Sequence, residues 1–333
     1  MPLSNALNTA VPSGNRKGSG LRHRYRVYGI VVESAFALDS LEEVASRQSE
    51  AAIEISFGSA DYFRSIAEEL VSDPQEWLQH AMLADDRLYM RWDDIFEVAI
   101  SADGRQVMCR KLSDIDDRSF EAHLINFALS AALLQQGEEP LHATVATLDG
   151  HAVGLLGPSG AGKSTLAAFL VERGGELVTD DLLRTTFAEG AVLAYHGPLR
   201  LKLFEEPAKR YLSGAASRGR FNPLSGKMMF QPPHAAGERI HPLRLSALFH
   251  LGASPEGDAQ GEVSIKRMMG GDLVKVLLAA TMNTRLDTPR RLARQFHFTE
   301  RLARLLPVHE LIYPRNYRAM HRIAEKILHV IEE

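Results

Sequence analysis

Gly157-Pro158-Ser159-Gly160-Ala161-Gly162-Lys163-Ser164-Thr165 satisfies the pattern G-x-x-x-x-G-K-[ST] at every specified position, and its reading decides the fold. Glycines let a backbone wrap closely around a polyphosphate with its N–H groups turned inward. The lysine of such a loop reaches the β- and γ-phosphates, and the hydroxyl that follows it holds Mg2+. A helix beginning at this point adds the positive end of its dipole. The flanks agree with that reading. Residues 152–156 are an apolar run that reads as a buried strand. Residues 164–173 read as a helix with Leu166, Phe169 and Leu170 on one face, stopped by Gly174-Gly175. Gly157, Ser159, Gly160, Ala161, Gly162, Lys163, Ser164 and Thr165 are therefore the expected ATP site, with Ser164 on Mg2+.

Upstream, residues 141–148 and 151–156 are apolar runs separated by Asp149-Gly150. A two-residue Asp-Gly link is a strong hairpin signal, because both turn positions favour positive φ. The strand feeding the loop is thus expected to pair with its predecessor, which carries His142 toward the sheet. Downstream, residues 176–179 read as a short strand ending in Asp180-Asp181. Carboxylates at that strand end are placed to meet the nucleotide's metal: one can hold Mg2+ while the other takes a proton from an attacking hydroxyl. The alternative is a capping pair for the following turn. Residues 195–204 end in an alternating strand that sets Arg200 and Lys202 on one face, either a solvated edge or a phosphate contact.

Further out the reading is coarser. Residues 24–34, 52–57, 87–92, 96–101 and 106–111 read as strands, and 61–70 and 74–82 as helices, giving a strand-rich α+β domain over 23–113 after a loose tail over 1–22. A helix from 114 to about 136, capped by its acidic start, opens the second domain, 114–333. Residues 222–226 read as a turn leading to Lys227 and a strand at 228–230. Residues 243–251 read as a strand, with 262–267 as its hairpin partner. The last third alternates helices at 272–280, from Thr288-Pro289 onward and at 317–330 with a strand at 308–313. Arg285, Arg290, Arg291, Arg294, Arg301 and Arg304 crowd the penultimate helix, as a solvated basic face or a dock for an acidic peptide.

The 333 residues are 45% hydrophobic and 24% charged, with a formal net charge of -4, which is ordinary globular composition with no pull toward nucleic acid or membrane. The single cysteine, Cys109, excludes an internal disulfide and any cysteine-built zinc site. No apolar run approaches the roughly 20 residues of a membrane helix. With no signal-peptide centre in residues 1–22, a cytoplasmic protein is expected.

Leu141-His142, the phosphate loop, and Glu172-Arg173-Gly174-Gly175-Glu176-Leu177-Val178-Thr179-Asp180-Asp181 together resemble the catalytic domain of HPr kinase/phosphorylase. The whole chain looks closer to the HPr-kinase-like serine kinases of lasso-peptide and other ribosomal-peptide clusters. The first strand, the Leu-His-Ala stretch and residues 311–316 (Leu-Ile-Tyr-Pro-Arg-Asn) share that look. The resemblance implies a P-loop α/β fold of the HPr kinase/phosphoenolpyruvate carboxykinase type, a mixed sheet flanked by helices. It makes Asp180 the acid/base at the acceptor hydroxyl, Asp181 its partner or a metal ligand, and His142 an active-site residue near the γ-phosphate. Lys163 and Ser164 keep their roles, and a homo-oligomer is implied. Two departures stand out. Tyr195-His196-Gly197-Pro198 occupies the place of a Glu-x-Arg-Gly-type signature, and the arginine loop tied to phosphorolysis has no counterpart. Both argue against the reverse reaction and against HPr as acceptor. Arg200, Lys202, Lys227 and Arg239 are the candidates to supply the missing positive charge.

The expectation is an ATP- and Mg2+-dependent kinase acting on a serine of a peptide or protein, a lasso-type precursor peptide in particular. A small-molecule kinase and a non-catalytic, nucleotide-gated peptide binder remain as alternatives. A transport-type ATPase does not, since Leu212-Ser213-Gly214-Ala215 is the nearest approach to the Leu-Ser-Gly-Gly-Gln that class needs.

Overall fold

The computed structural model describes residues 22–44, 50–70, 78–215, 217–221, 226–233, 239–253 and 261–333. All but the last residue of the expected tail, and residues 222–225 of the expected turn, lie outside them. Strands rich in β-branched and aromatic residues build the first sheet: β1 (His23–Val27), β2 (Ile30–Ser34), β3 (Ile53–Phe57), β4 (Leu78–Met82), β5 (Leu88–Trp92), β6 (Phe96–Ile100) and β7 (Gln106–Lys111). Their order is β1-β2-β3-β7-β6-β5-β4. Helix α1 (Ala60–Glu69) follows β3, with the Ser59 hydroxyl accepting from Tyr62 N. The expected helix over 74–82 is not formed where it is described. Leu78–Met82 pairs residue for residue with β5 instead, a ladder that outweighs local helix preference; residues 74–77 lie outside the described residues.

Next comes a helix in three parts: α2 (Asp117–His123), a π-helical turn (Leu124–Ala128) and α3 (Leu129–Gln135). The Asp116 carboxylate caps it, accepting from Ser119 N at 3.0 Å. Phe120, Leu124, Ala128, Ala131 and Leu134 share a core with Val32, Ile53 and Val98 of the first sheet. The helix expected to open the second domain thus covers the first sheet.

The second sheet holds the phosphate loop. After β8 (Leu141–His142) come β9 (Thr144–Leu148), β10 (His151–Leu156), α4 (Lys163–Glu172), β11 (Leu177–Thr179), β12 (Leu182–Leu183), β13 (Thr185–Ala188) and β14 (Ala191–Ala194). Then follow β15 (Leu201–Leu203), α5 (Glu205–Tyr211), β16 (Ser217–Arg220), β17 (Met228–Phe230), β18 (Leu243–Ala253), β19 (Ser264–Arg267), α6 (Gly270–Ala280), α7 (Pro289–Leu305), β20 (Val308–Tyr313) and α8 (Met320–Glu332). The sheet runs β11-β9-β10-β18-β14-β13, with β20 beside β18 and β19 beside β20. β9 and β10 form the expected antiparallel hairpin, Asp149 and Gly150 both at positive φ, 47° and 83°. β10–β18 and β18–β20 are parallel. Leu166 and Phe169 of α4 and Ile323 and Ile327 of α8 pack on one face, Leu277 of α6 and Leu302 of α7 on the other. This is an α/β fold with a mixed sheet between two helical layers.

Two expectations change here. β19 pairs with β20, Ile265 facing Leu311, rather than with β18, whose flanks are already taken by β10 and β20. On α7, Arg290, Arg301 and Arg304 are exposed, as is Arg285 ahead of it, but Arg291 is buried on Glu139 and Arg294 joins it, at 3.2 and 2.7 Å. Charge cannot be buried alone, so the solvated basic face stops at these two residues.

The N-terminal hairpin is fastened to the second half at its turn. Tyr28 and Gly29 both have positive φ, Tyr28 N donates to His196 O at 2.7 Å, and Arg184 donates to Tyr28 O at 3.0 Å. A Cβ on Gly29 would lie 2.0 Å from the Tyr195 ring. Only glycine fits there.

Candidate active site

Strand β10 ends at Leu156, and the chain turns through Gly157, Gly160 and Gly162 at φ of 136°, 82° and 100° before α4 begins. These values are open to glycine and strained for other residues. The tip, residues 158–160, is exposed. Tyr313 donates to Ala161 O at 3.0 Å and Arg315 to Gly160 O at 3.2 Å, which fixes the loop against the end of β20. Lys163 is buried and folds back, donating to Gly157 O at 2.7 Å and Pro158 O at 3.1 Å. Burial pushes its ammonium down to about 8, Lys227 adding to the effect and Asp180 opposing it. Gly162→Ala should be costly: its Cβ would come 2.5 Å from the Tyr313 hydroxyl at a φ already disfavoured. A strain of about 1–2 kcal/mol predicts a less stable fold and a lower Tm, measurable by thermal denaturation.

Asp180 follows β11 and is nearly buried. One carboxylate oxygen accepts from Thr144 Oγ1 at 2.7 Å and Ser164 Oγ at 3.3 Å, and the other from Lys202 N at 3.0 Å. The carboxylate thus lies against the hydroxyl of the phosphate loop, as the β11–β9–β10 order requires. Asp181 takes a left-handed conformation, φ 69°, one that aspartate tolerates better than most residues. Its Oδ2 accepts from Asn126 Nδ2 at 2.9 Å and forms an ion pair with Lys202 Nζ.

His142 pairs through its backbone with Leu182, and Ala143 N donates to Asp181 O at 3.2 Å, so the histidine stands beside the aspartate pair. Burial pushes it down to about 3, with Lys163 and Lys202 acting in the same direction. It is a neutral imidazole at physiological pH.

The four basic candidates separate. Lys202 is buried at the pair, and burial lowers it to about 7; its ammonium also lies 3.5 Å from the Phe221 ring centroid. Of the two readings of the alternating strand, a solvated edge or a phosphate contact, the solvated edge does not hold, because Arg200 and Lys202 are both buried. Arg200 stands one step back, donating to Asn126 Oδ1 at 3.1 Å, Ala122 O at 3.2 Å and Ser40 Oγ at 3.2 Å. Lys227 is near enough to depress Lys163, Lys202 and His142. Arg239 turns away to the carbonyls of Leu177 and Val178, at 2.8 and 3.0 Å. Arg200 and Arg239 also line a cavity of about 650 Å³ shared with Asp39, Ser40, Glu42 and Gln231.

Sequence reasoning missed Thr144, Asn126 and Phe221. An asparagine in an otherwise apolar helix was a usable signal for the second of these. Phe221 lies between Lys202 and the buried His123, its ring stacked on the imidazole at 4.5 Å. His123 Nδ1 lies 2.7 Å from Ser119 O, so it carries the proton, and Nε2 has no hydrogen-bond partner among the described residues. Burial pushes this histidine down to about 4. Its folded pKa lies below its unfolded value of 6.5, so its contribution to stability is complete above that value and is lost as pH falls toward 4. The loss is on the order of 3 kcal/mol. His123→Phe should therefore narrow the drop in Tm between pH 7 and 4.5, checked by thermal denaturation.

The donors around the loop are hard oxygens, namely the Ser164 and Thr144 hydroxyls and two carboxylates, a set suited to Mg2+ shared with phosphate. Among the described residues no helix is long and apolar enough to cross a membrane. No family model and no curated protein matches the chain. Among solved structures it is similar to the HPr(Ser) kinase/phosphatase from Coxiella burnetii, at 12% identity over 57% of this chain and 94% of that one, with a TM-score of 0.30.

Proposed function

We propose that this chain is an ATP-dependent kinase that transfers the γ-phosphoryl group to a serine hydroxyl of a peptide or protein, a ribosomal precursor peptide of the lasso type in particular. The observation that carries the reading is the Asp180 carboxylate held 3.3 Å from the phosphate-loop hydroxyl Ser164. A proton acceptor next to a phosphate cradle is the minimum that phosphoryl transfer to an alcohol requires.

In this reading Lys163 exchanges its two loop carbonyls for oxygens of the β- and γ-phosphates, and the loop amides meet the remaining charge. Ser164 and Asp181 are the residues that would hold Mg2+, which when bound would supply neutralisation of the charge on the phosphates. Asp180 orients the serine hydroxyl and takes its proton as the new O–P bond forms and the bond to the bridging oxygen of ADP breaks. Thr144 and Lys202 N keep that carboxylate in place. His142, being neutral, hydrogen-bonds at the γ-phosphate without adding charge. Lys202 and Lys227 are the positive surroundings of the phosphate, and Arg200 and Arg239, which line the cavity, those of the acceptor. The cavity beside Arg200, lined by both signs of charge, has the size of a ligand pocket and suits a peptide segment.

The test is mass spectrometry of serine-bearing precursor peptides incubated with the protein and Mg-ATP. A phosphopeptide supports the proposal. ATP consumed without a modified peptide points to a small-molecule acceptor, and ATP bound without turnover ends the kinase reading.

A further inference from the structure

We infer that Asn126 is a positioning residue for Asp181, and that the N-terminal half of the chain holds it in that task through Arg200. The inference rests on the reading of Asp181 as a metal ligand.

Asn126 is 1% exposed and sits in the π-helical turn between α2 and α3. Such a turn inserts one residue into a helix and re-aims a side chain, and it is frequent at functional sites. A buried amide must satisfy two unlike ends, one accepting and one donating. Arg200 can only donate, so the end 3.1 Å from its guanidinium is the oxygen. The Tyr28 hydroxyl approaches that same oxygen at 3.5 Å. The amide's NH2 is therefore turned to Asp181 Oδ2, at 2.9 Å. The cation thus determines which end of the amide the aspartate meets.

Arg200 is in turn fixed from the first half. It donates to Ser40 Oγ at 3.2 Å, while Glu121 accepts from Asp39 N at 2.8 Å and Ser40 N at 2.7 Å. Ser40 Oγ itself donates to Glu121. A continuous run of hydrogen bonds leads from Glu121 through Ser40, Arg200 and Asn126 to Asp181. Asp181 has need of it: at φ 69° its backbone is strained, and a strained residue keeps its orientation only when its surroundings over-determine it. Lys202 supplies one hold and Asn126 the second. The N-terminal sheet is on this account part of the catalytic unit rather than a separable docking module.

The experiment is calorimetric titration of the full chain with ATP, with and without Mg2+, which needs no acceptor. Wild type should bind ATP more tightly with Mg2+. In Asn126→Ala that gain should shrink ten- to a hundredfold, the usual cost of losing a group that orients a metal ligand. Metal-free ATP binding should stay within about threefold, a split that general destabilisation would not produce. Asn126→Leu, which keeps the branched shape, serves in its place where the alanine variant does not fold. A gain kept in full by a folded Asn126 variant overturns the inference and leaves the kinase reading standing. A wild type without any Mg2+ gain overturns both.

Discussion

Asp180→Asn should lower phosphoryl transfer about 10²–10⁴-fold, the usual worth of a general base, and leave ATP binding near wild type. The substitution suits the site because its hydrogen-bond demands can still be met. One oxygen must face the Lys202 amide, which only donates. The other position faces Thr144 and Ser164, whose hydroxyls can rotate to accept from an NH2 group. Asparagine therefore fits with its amide oriented one way, and only the capacity to take a proton is lost. Quantifying phosphopeptide against time, beside ATP affinity, separates chemistry from binding. Turnover within threefold of wild type would remove Asp180 from the role of base. Equal losses in turnover and ATP affinity would instead show that the carboxylate holds the nucleotide.

Glu139→Gln should destabilise the fold by about 3–5 kcal/mol, since it strands a buried cation. The Glu139 side chain is 1% exposed and accepts from Arg291 Nη2 at 3.2 Å and Arg294 Nε at 2.7 Å, while the Arg291 side chain is itself only 3% exposed. Arg291 also donates to the carbonyls of Met282, Asn283 and Leu286. The group therefore ties the end of α3 to the start of α7 and to the segment after α6. Glutamine keeps the shape but sets an NH2 against guanidinium donors and removes the countercharge. Against a total of about 5–15 kcal/mol for a typical domain, the loss should move the urea midpoint strongly. A shift worth less than about 0.5 kcal/mol, the scale of an exposed pair, would show that the cluster is hydrated and dispensable.

How far the sequence discloses this molecule depends on how local each determinant is. The phosphate loop, its helix and the Asp149-Gly150 hairpin are written in adjacent residues, because glycine spacing and turn chemistry act over a few positions. The closeness of Asp180 to Ser164 follows from strand order once β11 is known to join β9. Pairing over longer distances is a different matter. Nothing local tells β19 to choose β20 over β18, since that depends on which flanks of β18 are already taken. Burial of charge is equally non-local. Arg200 and Lys202 alternate like an exposed edge, and Arg291 looks like its solvated neighbours; their partners Asn126, Asp181 and Glu139 come from other parts of the chain. Asn126 stands out as a polar residue in a largely apolar run, but the π-helical turn that aims it leaves only a faint irregularity in the repeat.

The placement of β10 also bears on how the chain folds. On one side it meets β9 across a two-residue turn, a contact that closes within microseconds. On the other it meets β18, with Ala152 opposite Leu245, roughly ninety residues later, and such distant parallel pairing is slow. β20, which brings Tyr313 to the loop, comes later still. During synthesis the glycine loop therefore leaves the ribosome long before the strands that support it. On the proposed function, nucleotide can be gripped only when the last third of the chain has docked, and ATP would then stabilise the finished fold against late unravelling.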